Sequence, residues 1–144
     1  MRNRVAVMHG VNLDALERRP PEVYGGLSLP ALERQISHFA HELGLETRFF
    51  QSNHEGEFVE ELHRSSDYAD GLVLNPGAWT HYAWALRDAV EVSGLPAVEI
   101  HLSDIENREE WRRVSVLADV VVARVSGQGV EGYREALQRI KDAL

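Results

Sequence analysis

The sequence predicts an α/β fold, with a parallel five-stranded sheet between two layers of helices. Short apolar runs of strand length alternate along the chain with longer segments in which apolar residues recur every three or four positions. Strands that alternate with helices form βαβ units, and such units bury a parallel sheet on both faces. The predicted strands are Arg4–His9, Glu46–Gln51, Gly71–Asn75, 96–101 and 120–125.

Helices are predicted between these strands from apolar spacing and from residues that typically cap helix ends. Ser28 can cap the first helix, whose apolar stripe runs from Leu29 to Leu43, and Gly44 can end it. The other predicted helices cover 56–67, 80–93, a short segment at 107–113, and 130–144. With no internal repeat or linker, the chain is predicted to be a single domain over 1–144. We expect a three-layer flavodoxin-like sandwich with strand order 2-1-3-4-5.

Composition and charge argue against several classes of protein. The net charge of -8 disfavours a general nucleic-acid binder, which normally presents a basic surface. No apolar run approaches the length of a membrane span and no secretory signal is evident, so we expect no membrane partner and a cytoplasmic location. The absence of cysteine excludes disulfides and thiol nucleophiles. The only lysine, Lys141, is badly placed for Schiff-base chemistry.

The segment 18–26 has an unusual composition for a simple connection. Arg19 precedes two prolines and Tyr24 precedes two glycines, residue types that respectively restrict and free the backbone. A free phenol is a weak base at neutral pH, and a nearby cation favours its phenolate. Tyr24 is therefore either a catalytic base that Arg19 activates or a packed aromatic residue, and the segment alone leaves both alternatives open.

Polar side chains follow nearly every predicted strand, at the sheet edge where ligands bind in open α/β folds. These side chains are His9, Asn12, Ser52, Asn53, His54, Asn75, His81, Ser103 and Asp104. Most of them also have a structural explanation, because the segment 75–77 is typical of a turn and Thr80 can cap a helix. Glu99 and His101 differ, since they share one face of a buried strand. A carboxylate and an imidazole are costly there unless they are used.

Other patterns point away from metal and serine chemistry. The histidines that follow strands are on different strands and have no carboxylate cluster beside them, so we predict no metal. No GxSxG elbow indicates a serine nucleophile. Arg108 and Arg112 lie one helical turn apart, a spacing that is common on solvated helix faces.

Several motifs together resemble the type II 3-dehydroquinate dehydratases, also called type II dehydroquinases. The resemblance covers nearly the whole chain and rests on separate stretches in the same order. These stretches are Asn12-Leu13 with Arg19 and Tyr24-Gly25, QSNHEG at 51–56, NPGAWTH at 75–81 with Arg87-Asp88-Ala89, Pro96 with Glu99, His101-Leu102-Ser103, Arg108-Glu109, Arg112 and Ser115, and finally Gly127, Gly129 and Gly132-Tyr133.

The resemblance implies a dehydratase of the shikimate pathway that acts on 3-dehydroquinate without a metal, cofactor or Schiff base. It implies that Tyr24, activated by Arg19, removes a proton next to the substrate ketone. Asn12 would hold a water molecule that stabilises the enolate. His101, oriented by Glu99, would protonate the departing hydroxyl group.

The resemblance also implies a set of substrate-binding residues and an assembly. Asn75 and the backbone of Leu102 and Ser103 would hold the substrate carboxylate, and Arg108 would support the site electrostatically. Ring hydroxyls would be bound by His81, Arg112 and Asp88. Asp88 would reach from a neighbouring subunit, because the family assembles as a homododecamer of four trimers.

The chain departs from the family pattern at positions to which the resemblance assigns no chemistry. These departures are His9, Val11, Glu17, Pro20, Asp104 and Arg124. Asp104 adds negative charge near the carboxylate-binding loop, and Arg124 places a charge inside the fifth strand. Pairing at a subunit interface is one interpretation of Arg124. Two alternatives to the dehydratase stay open. One is a degenerate non-catalytic relative or a small-anion binding module on the same fold, and the other is a lyase or isomerase that acts on another cyclic polyol acid.

Overall fold

The central strand β1 (Arg4–His9) pairs in parallel with a strand on each side. The other strands are β2 (Glu46–Gln51), β3 (Gly71–Asn75), β4 (Ala97–His101) and β5 (Ala123–Ser126). The computed structural model describes all residues 1–144 and contains one five-stranded parallel sheet in the order β2-β1-β3-β4-β5. The predicted fold class and strand order are therefore confirmed.

Two helical layers cover the sheet, because residues along the inner strands alternate between its faces. The helices are α1 (Pro21–Tyr24), α2 (Leu29–Glu42), α3 (Glu55–Ser65), α4 (Trp84–Ser93) and α5 (Gly132–Ala143). One face of the sheet carries Val5 and Val7 and packs against α2 and α5, whereas the other carries Ala6 and Met8 and packs against α3 and α4. None of the helices is long and apolar enough to cross a membrane.

The predicted helix over 80–93 is shorter in the structure, because its first residues form a separate turn. Residues Gly77–His81 form a 3-10 helix, and α4 begins only at Trp84. Thr80 was predicted as a helix cap, but its hydroxyl donates to Glu99 in the sheet instead. The tertiary contact therefore decides the local structure at this strand exit.

The predicted strand over 120–125 begins three residues too early. Strand β4 pairs with β5 from Val98 to His101, and the matching residues of β5 are Ala123 to Ser126. Val120 donates its N–H to the Leu117 carbonyl in a turn, and the half-exposed Val122 donates to the Ala97 carbonyl of β4 before the regular pairing begins. Their high β propensity is not sufficient, because a strand forms only where its hydrogen bonds can be paired.

Two other segments differ from the sequence prediction. The short helix predicted at 107–113 is two 3-10 turns, Ile105–Asn107 and Glu110–Arg113, separated by an extended Arg108. The segment between β1 and α2 was predicted as a loop, but it contains the 3-10 helix Leu13–Arg18 and the single-turn helix α1.

The exits of β1 and β3 are in direct contact at Gly10. Its backbone N–H donates to the Asn75 carbonyl at 2.7 Å. A Cβ atom at Gly10 would lie 2.4 Å from the Pro76 carbonyl oxygen, closer than any real contact of that kind. Glycine is therefore required here, and the contact fixes the two loops that carry Asn12 and Asn75 relative to each other.

We expect Gly10→Ala to destabilise the fold by about 2 kcal/mol or more, because the rigid backbone of Pro76 must move. The matched control is Gly56→Ala in α3, where an added Cβ meets nothing within 4 Å. That control should gain about 0.5–1 kcal/mol from helix propensity. Urea unfolding at one protein concentration measures both changes, and equal effects of the two substitutions would contradict the packing argument.

Candidate active site

A cavity of about 300 Å³ opens at the carboxyl edge of the sheet. It lies between the exits of β1, β3 and β4 and the lid, which we define as residues 19–26. All of the predicted site residues line this cavity except Glu99 and Asp88. The lining members are Asn12, Arg19, Tyr24, Asn75, His81, His101, Leu102, Ser103, Arg108 and Arg112.

The lid presents Tyr24 at the end of a single helical turn. Pro21 occupies the first turn of α1, and Gly25 ends it with a left-handed φ of 90°. Its N–H donates to the Pro21 carbonyl at 2.8 Å. The turn thus begins at prolines and ends at a glycine, and this places the phenol at the cavity wall. Tyr24 is partly exposed there.

The phenol oxygen of Tyr24 accepts hydrogen bonds from two guanidinium groups. Arg19 Nη2 lies 2.5 Å from it, and Arg108 Nη1 lies 2.6 Å from it. The guanidinium of Arg19 also lies over the phenol ring, 4.2 Å from its centroid. Charge-assisted bonds from two cations stabilise negative charge on the oxygen. Sequence reasoning predicted Arg19 as a partner, but the direct contact with Arg108, 84 residues away, was missed.

Glu99 is fully buried, and each of its carboxylate oxygens has two polar neighbours. Oε2 accepts from Thr80 Oγ1 at 2.7 Å and from His101 Nε2 at 2.6 Å. Oε1 accepts from Ser115 Oγ at 2.6 Å, and Arg124 Nε lies 3.4 Å from it. Burial alone would raise the pKa of Glu99, but His101, Ser115 and Thr80 together outweigh burial and lower the pKa to about 2.

The contact with Glu99 determines which nitrogen of His101 faces the cavity. A carboxylate only accepts, so Nε2–H is the donor and Nδ1 is left for a ligand. The prediction that Glu99 and His101 share a face of β4 is confirmed by this 2.6 Å contact. The hydrogen bond from Ser115 to Glu99 was not predicted from the sequence. The only indication of a role for Ser115 was that it belongs to one of the family motifs.

Arg124 pairs within its own chain. It lies directly opposite Glu99 in the β4–β5 register, so both side chains are on the same face of the sheet. This register explains the ion pair between Arg124 and Glu99. The sequence alone indicated no partner for Arg124 within the subunit.

His81 is held on the same wall as His101. Its Nδ1–H donates to the Val114 carbonyl at 2.7 Å, so its Nε2 carries no proton in the neutral ring. The two imidazoles are stacked with centroids 6.4 Å apart. Burial lowers the pKa of His81, and the nearby charges of His101 and Arg112 act in the same direction. His81 is therefore neutral at pH 7 and can accept a hydrogen bond from a ligand.

The floor of the cavity is made of amide and hydroxyl groups. Asn75 Oδ1 accepts from the Gly77 N–H at 3.1 Å, and Ser103 Oγ lies 3.4 Å from Arg108 Nη1. Asn12 has a left-handed φ of 70°, the only such residue that is not glycine. Its N–H donates to Asn53 Oδ1 at 2.8 Å, a supporting contact that sequence reasoning missed.

Asp88 is the predicted site residue that this chain does not bring to the cavity. It lies on α4 with 76% of its side chain exposed, and Arg87 is 3.8 Å away. Arg112, by contrast, lines the cavity, where Glu109 lies 2.5 Å from its Nε. No group of three or more histidine, cysteine, aspartate or glutamate residues is arranged to hold a metal ion.

Comparison with known proteins identifies the family of this chain. A sequence model of the family Dehydroquinase class II matches residues 3–141. The chain belongs to this family. As a class II dehydroquinase it is an enzyme of the hydro-lyase class, so the predicted family and enzyme class are confirmed.

Individual class II dehydroquinases match this chain over nearly its full length. A 3-dehydroquinate dehydratase from Halothermothrix orenii is 49% identical and covers 99% of this chain and 96% of its own length. One from Pelotomaculum thermopropionicum is 47% identical and covers 94% of both chains. The crystal structure of a type II dehydroquinase from Butyrivibrio crossotus superposes with a TM-score of 0.92 at 34% identity, covering 97% of this chain and 98% of that chain.

We expect Glu99→Gln to destabilise the protein at pH 7 by about 2 kcal/mol, because the amide presents an N–H₂ group to donors that need an acceptor. The folded-state pKa of Glu99, about 2, lies below its ordinary value of 4.5. Its stabilising contribution is therefore complete above pH 4.5 and is lost as the pH falls toward 2.

Thermal unfolding of both proteins between pH 7 and pH 3, at one protein concentration, measures this difference. The gap between wild type and Glu99→Gln should narrow below pH 4.5. A gap that stays constant over this range would contradict the assignment of a buried charged carboxylate.

Proposed function

We propose that this enzyme dehydrates 3-dehydroquinate to 3-dehydroshikimate, the reaction of the shikimate pathway that leads toward aromatic amino acids. One observation carries the proposal: a phenol held by two guanidinium groups and an imidazole backed by a buried carboxylate line the same cavity. The names of the 3-dehydroquinate dehydratases that resemble this chain support the choice of substrate.

Tyr24 is the base in this proposal. Removal of a proton from the carbon next to the ketone requires a positioned base, and a phenol serves best as a base when negative charge on its oxygen is stabilised. Arg19 and Arg108 stabilise that charge through the two short contacts with the phenol oxygen. The phenol takes the proton, and the electron pair of the C–H bond moves toward the carbonyl oxygen to form an enolate.

Asn12 stabilises the enolate by holding a water molecule that donates to the enolate oxygen. Its unusual left-handed backbone keeps the residue at the cavity wall, and the hydrogen bond from its N–H to Asn53 fixes the loop. Preorganised donors of this kind act on the charge that develops in the transition state.

His101 is the acid that completes the elimination. As the enolate collapses, the C–O bond to the departing hydroxyl group breaks, and the imidazolium supplies the proton that converts it to water. Glu99 stabilises the imidazolium and fixes the ring so that Nδ1 faces the cavity. A base on the lid and an acid on the sheet favour an anti elimination.

The substrate carboxylate is held by the Asn75 side chain and by the backbone of Leu102 and Ser103. All three line the cavity beside Arg108, whose positive charge favours an anion. His81 and Arg112 bind ring hydroxyls, and the neutral His81 accepts through Nε2.

We further propose that the enzyme is a homododecamer in which Asp88 completes a neighbouring cavity. Asp88 is exposed on α4, close in sequence to the exposed aromatic side chains of Tyr82 and Trp84. Exposed aromatic side chains are enriched at protein–protein interfaces. Light scattering should give a mass near twelve times 16.3 kDa, and a monomer at micromolar concentration would contradict the assembly.

The direct test is production of the conjugated enone from 3-dehydroquinate, followed by ultraviolet absorbance. We expect turnover by the purified protein without added metal. Absence of product from protein shown to be folded would favour the non-catalytic relative. Turnover of another cyclic polyol acid in its place would favour a different lyase or isomerase.

We expect Tyr24→Phe to reduce kcat by about 100-fold to 10,000-fold while substrate affinity changes little, because only the proton acceptor is removed. The matched control is Tyr68→Phe, which removes a hydroxyl that contacts Glu61 outside the cavity and should leave kcat unchanged. Steady-state kinetics, ligand binding and thermal unfolding separate the cases. A parallel loss of stability with a modest loss of kcat would indicate a packing role.

A further inference from the structure

Arg124 is a charged residue that the mechanism above does not use. It lies on the edge strand β5 with about a third of its side chain exposed. Its Nε lies 3.4 Å from Glu99 Oε1, and Glu99 Oε2 is 2.6 Å from His101 Nε2. One buried carboxylate therefore connects a permanent cation at the sheet edge with the proposed acid.

We propose that Arg124 is a positioning residue that acts on His101 through the shared carboxylate of Glu99, making the imidazolium a more ready proton donor. This proposal rests on the proposed function for the role of His101 as the acid. The coupling of the three residues can be measured without substrate.

The direction of the effect follows from the charges. Glu99 and a protonated His101 form a pair with no net charge, and Arg124 adds one positive charge to it. The guanidinium draws on the same carboxylate and repels the imidazolium, so it favours release of the proton from His101. Removing the guanidinium leaves Glu99 to stabilise the imidazolium alone.

Other charged or titratable groups surround His101, and they remain unchanged when Arg124 is replaced. Glu99 comes from β4, and the rest come from the lid, the 3-10 helices and the loops around the cavity. The cavity-lining members are Arg18, Arg19, Tyr24, His81, Arg108 and Arg112. Their contributions cancel in a comparison of variants that differ only at position 124.

The same Glu99 oxygen also accepts from Ser115, so the carboxylate keeps hydrogen-bonded partners when Arg124 is removed. Thr80 and His101 likewise continue to hold Oε2. A substitution at position 124 is therefore expected to change the charge near the dyad without leaving a buried oxygen unpaired.

The test is an NMR titration of His101 in the assembled enzyme, labelled with ¹³C at the histidine Cε1 position and assigned by comparison with His101→Gln. We expect Arg124→Met to move the titration midpoint of His101 upward by about half a pH unit or more. Arg124→Lys keeps the charge and should stay close to wild type. If Arg124→Met does not fold, Arg124→Gln takes its place, because it keeps a polar group at the partly exposed position.

The matched control is Arg139→Met, which removes an equal charge from the exposed face of α5, where Arg139 pairs with Glu135 at 3.7 Å. A midpoint in Arg124→Met that equals the midpoint in Arg139→Met would overturn the proposal. So would a downward shift, or a loss of thermal stability without any change in the midpoint.

The pH profile of kcat/KM provides the second readout. On the high-pH side of this profile, kcat/KM falls as the acid loses its proton. In Arg124→Met this fall should occur at higher pH, in the same direction as the shift of the NMR midpoint. A moved NMR midpoint in a protein without dehydratase activity would overturn the proposed function and leave the coupling of Arg124 to His101 intact. An unmoved NMR midpoint in an active enzyme would overturn the coupling alone.

Discussion

The carboxylate of Glu99 is fully buried in the sheet, so its negative charge must be stabilised by hydrogen-bond donors and by positive charge nearby. Thr80, Ser115 and His101 donate to it from three different elements, and Arg124 contacts it from a fourth. These partners account for several local features around it. They hold the 3-10 turn after β3 against the sheet, orient the imidazole toward the cavity, and connect the edge strand to the site.

The second constraint is the contact between the exits of β1 and β3. Gly10 brings two backbones so close that no side chain fits between them, and the loops after both strands are fixed as a result. Asn12 and Asn75 belong to these two loops. The two loops at the floor of the cavity are therefore held to each other by close backbone contact, which is the kind of support that a preorganised site requires.

The lid differs from the floor in how it is held. Its single helical turn has no buried residue, and its main polar contacts join Tyr24 to Arg19 within the lid and to Arg108 in the segment that follows β4. A segment with few buried apolar contacts has a low local stability. The charged contacts of Tyr24 therefore serve two purposes, because they position the lid and stabilise negative charge on the phenol.

Much of the fold and of the site was predictable from the sequence because it depends on local patterns. Alternating apolar segments indicated the parallel sheet and its order, and the spacing of Glu99 and His101 placed both on one face of a strand. The motifs identified the family, and ten of the twelve site residues that they implied line the cavity. The tertiary structure decided what depends on residues far apart in the chain. Thr80 donates to Glu99 instead of capping a helix, and Arg108 donates to the phenol oxygen of Tyr24. The strand register places Arg124 beside the buried carboxylate of Glu99. No local pattern encodes these contacts, because each arises only when the sheet brings separate strand exits together.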